Sequence, residues 1–224
     1  MTPSGRDPRP LDGGRLRPPA LRVLSLGVGV KSTALLLLAV DRVIPRFDAA
    51  IFAHTGRESE EAIRHLDHVE AIAVEAEIPI VRVSVPGIRP NAPDPDCPPV
   101  SVPPSGLHSD REQGVAQRQC ACVYLIRPIG AVIRSLLGYP YSRPVPEGVY
   151  AEQAIGISTD EAHRARAADV AYICNLFPLV TIGWTRADCQ AYLAYRGLTD
   201  MPEPNRVGCC SRGHGAARGR ADDG

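Results

Sequence analysis

The sequence predicts an α/β protein: a Rossmann-like parallel sheet flanked by helices. Three observations predict it. Short apolar runs at residues 21–26, 49–53 and 78–83 have the length of buried strands. Helix-length segments separate them. The first run ends in a glycine-rich turn that leads straight into a second apolar segment, a strand-turn-helix pattern.

Each element follows from its residues. LRVLSL at 21–26 is a strand closed by Gly27. Residues 32–40 are apolar on every side, which suits a helix sandwiched inside the fold. A second strand at 49–53 runs into His54, Thr55 and Gly56. Residues 59–77 repeat Ile63, Leu66, Val69, Ala73 and Ala76 at helical spacing, and 78–83 form a third strand. Residues 86–104 then hold eight prolines, which neither pair within a sheet nor continue a helix. Residues 86–117 are therefore expected to be a long mobile insertion. A helix is expected within 124–137, with Pro128 near its start and Gly138 as its stop. A strand is expected at 153–157, and an extended segment or strand at 179–182. The last helix, 186–196, has Thr185 as its cap, Asp188 completing a capping-box pattern and Gly197 after its end. The domain thus spans 21–200. Residues 1–20, rich in Pro, Gly and Arg, read as a disordered leader, and 201–224 as a flexible tail carrying cysteines.

Composition narrows the function. The chain has 224 residues, 44% hydrophobic, with mean hydropathy −0.09. No apolar stretch has the length of a membrane span, and the N-terminus lacks the apolar core of a signal peptide. A cytoplasmic protein with no membrane partner is expected. Lys plus Arg and Asp plus Glu are both 25, which argues against a general electrostatic nucleic-acid binder. Aromatics at 5% do not supply base-stacking platforms. Seven cysteines, an odd number scattered along the chain, point to thiols or a metal site rather than a disulfide framework.

The turn SLGVGVKST invites three readings. A phosphate-binding P-loop needs glycine where Val30 and Ser25 stand, so that reading fails. A dinucleotide fingerprint finds Gly27 and Gly29 but has Ser32 at the third glycine, and His54 in place of a ribose-binding acid. The third reading fits best. The segment resembles the pyrophosphate loop of the adenine-nucleotide alpha-hydrolase-like superfamily, SGGxDS, with Gly29 and Ser32 matching and Gly27 and Lys31 replacing serine and aspartate. Gly29 allows close backbone approach, Ser32 and Thr33 carry hydroxyl donors, and the helix N-terminus attracts an anion.

Later segments extend the likeness. AIFAHTG, RQCACVYLIRPI, IGISTDEAHR and TRADCQAYLAYRG occur in the order expected of a diverged branch of phosphoadenosine phosphosulfate reductase-like proteins, of actinobacterial and phage type, which carries SLGxGVxST at its loop. The similarity covers roughly residues 21–209 without the proline-rich insertion. It implies a nucleotide, ATP or phosphoadenosine phosphosulfate, at the carboxyl ends of the strands. There Ser25, Gly27, Gly29, Lys31, Ser32, Thr33, Thr55, Gly56, Ser158 and Thr159 would form the binding edge. Arg118, Arg127 and Arg164 would clamp phosphate or sulfate through bidentate contacts. Asp160 or Glu161 would hold Mg²⁺ beside phosphates; the alternative for the 158–161 segment is a plain helix cap.

The resemblance also implies an iron–sulfur cluster on Cys120, Cys122, Cys209 and Cys210, although Arg206 stands where relatives have the first cysteine of the last pair. Relatives also have aspartate at His54, an acid at Val123 and lysine at Leu125. Two chemistries are open. ATP is split between its α and β phosphates to adenylate a substrate, with Asp160 at the reacting phosphates, or the Cys209 thiolate attacks the sulfur of an activated sulfate. Either needs a sulfur or nucleophile acceptor that the sequence does not name. The missing charges keep a third reading open, a non-catalytic nucleotide sensor or partner-binding module.

Overall fold

The computed structural model describes residues 11–12, 15–54, 58–84 and 126–202. Five parallel strands form one sheet: β1 (Leu21–Leu26), β2 (Ala49–His54), β3 (Ile80–Ser84), β4 (Ala151–Ile155) and β5 (Ile173–Leu176). Their order across the sheet is β3-β2-β1-β4-β5. The chain winds outward from β1 in one direction through β2 and β3, then returns to β1's other side with β4. The direction of winding therefore reverses between β1 and β4, and in open α/β sheets the crevice at the carboxyl end of such a reversal is where ligands bind. Ser25 lies opposite Ile155 in the β1–β4 register, so Gly27 and Gly156 leave the sheet side by side.

Helices cover both faces. On one face lie α1 (Val30–Val40), α2 (Glu60–Glu75) and α5 (Arg186–Tyr195). Leu35, Leu36, Leu37, Leu66, Val69, Cys189 and Leu193 pack there with Leu24, Phe52 and Ala154 of the strands. On the other face α3 (Arg127–Leu136) sets Ile129 and Ile133 against Val23, Ile51, Ala151 and Ile173. Alternate residues of each strand thus serve opposite cores, which explains why these strands read as unbroken apolar runs. From Val30 to Ala39, every residue of α1 except Lys31 is buried, as expected for a helix enclosed by sheet and neighbouring helices.

Helix ends follow their sequence signals. Ser59 caps α2 by accepting from the Ala62 N–H at 3.2 Å. Thr185 accepts from Asp188 N at 3.2 Å, while Asp188 accepts from Thr185 N at 2.8 Å, completing the capping box. Gly138 and Gly197 adopt φ of +84° and +78° just past their helices, conformations that favour glycine. Replacing Thr185 with Ala removes the cap and is expected to lower stability by about 1 kcal/mol, read as a shifted urea midpoint at unchanged slope.

Two expectations are corrected. Residues 179–182 are not a strand or extended segment; Pro178–Thr181 forms one helical turn, α4, with Pro178 at a first-turn position where its missing N–H costs nothing. The strand on that side is Ile173–Leu176, whose apolar pattern is only four residues long and contains Asn175. The strand expected at 153–157 lies earlier, at Ala151–Ile155, leaving Gly156 free to turn. Within residues 1–20, Leu11–Asp12 pairs antiparallel with Arg15–Leu16. No helix among the described residues is long and apolar enough to cross a membrane.

Candidate anion site at the sheet reversal

The turn after β1 is built around Ser32. Its hydroxyl accepts from Gly27 N at 3.1 Å and donates to the Gly29 carbonyl at 3.2 Å, stapling the turn onto the first turn of α1. Val28, buried between the two glycines, sits at φ +49°, an unfavourable conformation for a β-branched residue. Strain of this kind persists only where the surroundings fix the backbone. Gly29 is the N-cap of α1, with φ −94° and ψ 169°. The N–H groups of Val30, Lys31 and Ser32 open the helix and have no helical acceptor.

Around Gly29 the turn is open: a Cβ there would meet no protein atom within 4 Å, and its backbone is extended. The crowded glycine is Gly156, where a Cβ would lie 2.9 Å from Ser32 N and 3.2 Å from the Lys31 carbonyl carbon. Sequence reasoning missed Gly156 because its neighbour is over a hundred residues away in the chain. The Ser32 and Thr33 hydroxyls both have partners within the protein. Ser32 closes the turn, and the Thr33 hydroxyl is buried 3.4 Å from His65 Nε2 on α2. Burial, reinforced by His68, pushes the His65 pKa below its ordinary value, so this imidazole stays neutral at pH 7.

The opposite wall follows β4. Ser158 is fully buried, and Thr159 is tied to the Trp184 carbonyl by both its N–H (2.9 Å) and its hydroxyl (3.0 Å). A 3₁₀ segment, Thr159–Arg164, carries the charges. Asp160 accepts from Arg186 N at 3.2 Å, linking this wall to the start of α5. The Ser158 hydroxyl lies beside Asp160 without a well-aligned hydrogen bond. It leads the influences that hold this carboxyl below the usual range, with main-chain N–H groups and the Lys31 charge adding to it.

Glu161 crosses the crevice to Lys31. It also receives Arg164 at 2.7 Å. Lys31 leads the effects that lower the Glu161 pKa, and they outweigh its desolvation. Side-chain exposures of 15% for Lys31, 29% for Glu161 and 61% for Arg164 place the first pair inside the crevice and the outer arginine at its mouth. Two cations share the Glu161 carboxylate beside the N-terminus of α1, and with Asp160 on the same wall the charges of the cluster balance.

The remaining expected residues divide. Ser25 is the penultimate residue of β1, just before the turn. Arg127 is exposed at the start of α3, on the opposite face of the sheet from α1. His54, which ends β2, has Nδ1 2.7 Å from Glu58 Oε2, so a carboxylate four residues on accompanies it. Thr55, Gly56, Arg118, Cys120, Cys122, Val123, Leu125, Arg206, Cys209 and Cys210 lie outside the described residues. Among the described residues no group of three or more His, Cys, Asp or Glu is placed to hold a metal ion. Cys189 is buried, and burial raises its thiol to about 11, which removes it as a nucleophile at neutral pH.

At the far end of α1, Asp41 accepts from Tyr192 on α5 and pairs with Arg196, the C-cap of that helix. Burial, then Asp41, raises the Tyr192 hydroxyl to about 12, so it remains a donor. This clamp fixes α1 at the end away from the turn.

Fold and site together define an α/β protein of five parallel strands, with a crevice lined by Lys31, Arg164, Asp160 and Glu161 at the reversal of strand order. The chain is similar to the crystal structure of phosphoadenylyl-sulfate (PAPS) reductase from Candida auris in its phosphate complex. The two share 14% identity with a TM-score of 0.45, over 79% of this chain and 72% of that one. No family model matches the sequence, and no curated protein matches it.

Proposed function

We propose that this chain binds an adenine nucleotide in the crevice between β1 and β4, with the phosphate or sulfate groups on the turn formed by residues 27–33. One observation carries the reading. The open N-terminus of α1, Lys31 and Arg164 converge at the carboxyl edge where strand order reverses. Helix N–H groups and a partly enclosed cation recognise an oxyanion by direct hydrogen bonding and charge. The motif resemblance along the chain supplies the adenosine part of the proposal.

Within this reading the main-chain N–H groups of the turn orient the anion and stabilise negative charge that develops on it during transfer. Lys31 and Arg164 neutralise it. Asp160 is the carboxylate at the edge that would hold Mg²⁺ accompanying ATP, a cation that supplies further charge neutralisation when bound, while Glu161 is engaged by Lys31. If the ligand is an activated sulfate, the thiolate of Cys209 would serve as nucleophile; in the alternative arrangement Cys120, Cys122, Cys209 and Cys210 would instead be the ligands of an iron–sulfur cluster.

Calorimetric titration of the full chain with ATP and with phosphoadenosine phosphosulfate tests the binding claim. Saturable one-to-one binding of either is expected; no heat with both contradicts it. Products then separate the chemistries. Pyrophosphate released from ATP identifies adenylation, and thiol-dependent sulfite from phosphoadenosine phosphosulfate identifies reduction. Binding without either product identifies a sensor, a role consistent with histidine at position 54 and with the engagement of Glu161 by Lys31.

A further inference from the structure

We infer that Glu161 is an internal competitor for the anion: its carboxylate occupies Lys31, and a ligand gains that cation by displacing it. The inference rests on the phosphate-site reading above and adds to it the residue that sets its affinity. Lys31 is the second residue of α1, in the first turn that carries the open N–H groups. In the structure that ammonium is paired to a carboxylate brought from 130 residues away, after β4. The same carboxylate also engages Arg164, so both cations at the crevice converge on one anionic group. A carboxylate held by two cations beside a helix N-terminus occupies the electrostatic position that a phosphate or sulfate oxygen would take.

The backbone suits an exchange. Glu161 has φ −118° and ψ 17°, a break between two short turns of 3₁₀ helix. Ser158, Thr159 and Asp160 on its N-terminal side are buried or tied to Trp184 and Arg186. Arg164 on its other side is largely exposed. Glu161 therefore sits between residues tied into the wall and a more exposed end of the segment. It withdraws without disturbing the wall that supports the turn.

The exchange predicts a direction opposite to that of a residue which supports the ligand. Glu161→Gln removes the competing charge. It is expected to tighten binding of inorganic pyrophosphate and of ATP by roughly two- to fivefold in buffer containing EDTA, the range set by a partly exposed ion pair. The gain should largely disappear when Glu161→Gln is made in a Lys31→Met chain, because the cation under competition is then absent. Equal or weaker binding by Glu161→Gln overturns the inference, as does a gain that persists in full without Lys31, which would be simple relief of repulsion. Loss of affinity confined to Mg²⁺-containing buffer also overturns it, by showing Glu161 to be a metal ligand. The nucleotide reading fails separately. Pyrophosphate binding that responds as expected, with no binding of ATP or phosphoadenosine phosphosulfate, leaves the competitor in place and removes the adenosine assignment. No binding of any of the three removes both.

Discussion

Gly29→Asp is expected to leave the protein folded and to reduce its affinity for ATP or phosphoadenosine phosphosulfate by at least about 100-fold. The two halves of this outcome have different causes. A Cβ at position 29 meets nothing within 4 Å, and the residue is the extended N-cap of α1, a place where aspartate is favoured over glycine by a few tenths of a kcal/mol. The fold therefore accepts the change. The new carboxylate takes up the helix N–H groups that the ligand needs and sets a like charge against it, a juxtaposition that costs several kcal/mol. Gly29→Ala is the control. It adds size without charge in open space and should bind within a few-fold of the parent chain. Parallel titrations and thermal melts check both halves; unchanged affinity in Gly29→Asp would place the ligand elsewhere.

Gly156→Val is expected to do the reverse, damaging the structure first. The added Cβ would stand 2.9 Å from Ser32 N and 3.2 Å from the Lys31 carbonyl carbon, both main-chain atoms that cannot rotate away. The start of α1 must shift, in a core where Leu35, Leu36 and Leu37 are fully buried against their neighbours. Overpacking of this kind costs about 1–3 kcal/mol, roughly 2–4 °C in Tm for each kcal/mol in a chain of this size. Because the displaced atoms form the anion turn, binding should fall together with stability. A melt that matches the parent would show that the β4 end does not press on the turn. Gly29 and Gly156 thus act differently: the first keeps the site open, and the second lets two segments of the fold come together.

Local pattern made much of this legible. The apolar runs of β1 and β2, the heptad-like spacing of Ile63, Leu66, Val69 and Ala73, and the Thr185–Asp188 box depend on neighbours close in sequence, and they appear where those signals place them. The misses share another cause. β5 is four residues long and interrupted by Asn175, too short to show a period. The β-branched residues Val180 and Thr181 favour a strand by propensity, yet Pro178 and the contacts of Leu179 turn them into a helical turn. The roles of Gly156 and of the Lys31–Glu161 pair require β1 and β4 to be adjacent, which strand order decides and local sequence does not. The Ser32 and Thr33 hydroxyls were recognisable as polar groups on a turn. Only the fold brings Gly27 N to the Ser32 hydroxyl and His65 to the Thr33 hydroxyl.

A crystal structure of the full chain with ATP or phosphoadenosine phosphosulfate bound is the most direct test. The phosphate or sulfate oxygens are predicted to lie within hydrogen-bonding distance of the main-chain N–H groups of residues 28–32, with Lys31 turned from Glu161 onto the ligand. Nucleotide bound at another part of the surface, with Lys31 still on Glu161 and the turn untouched, would contradict the account.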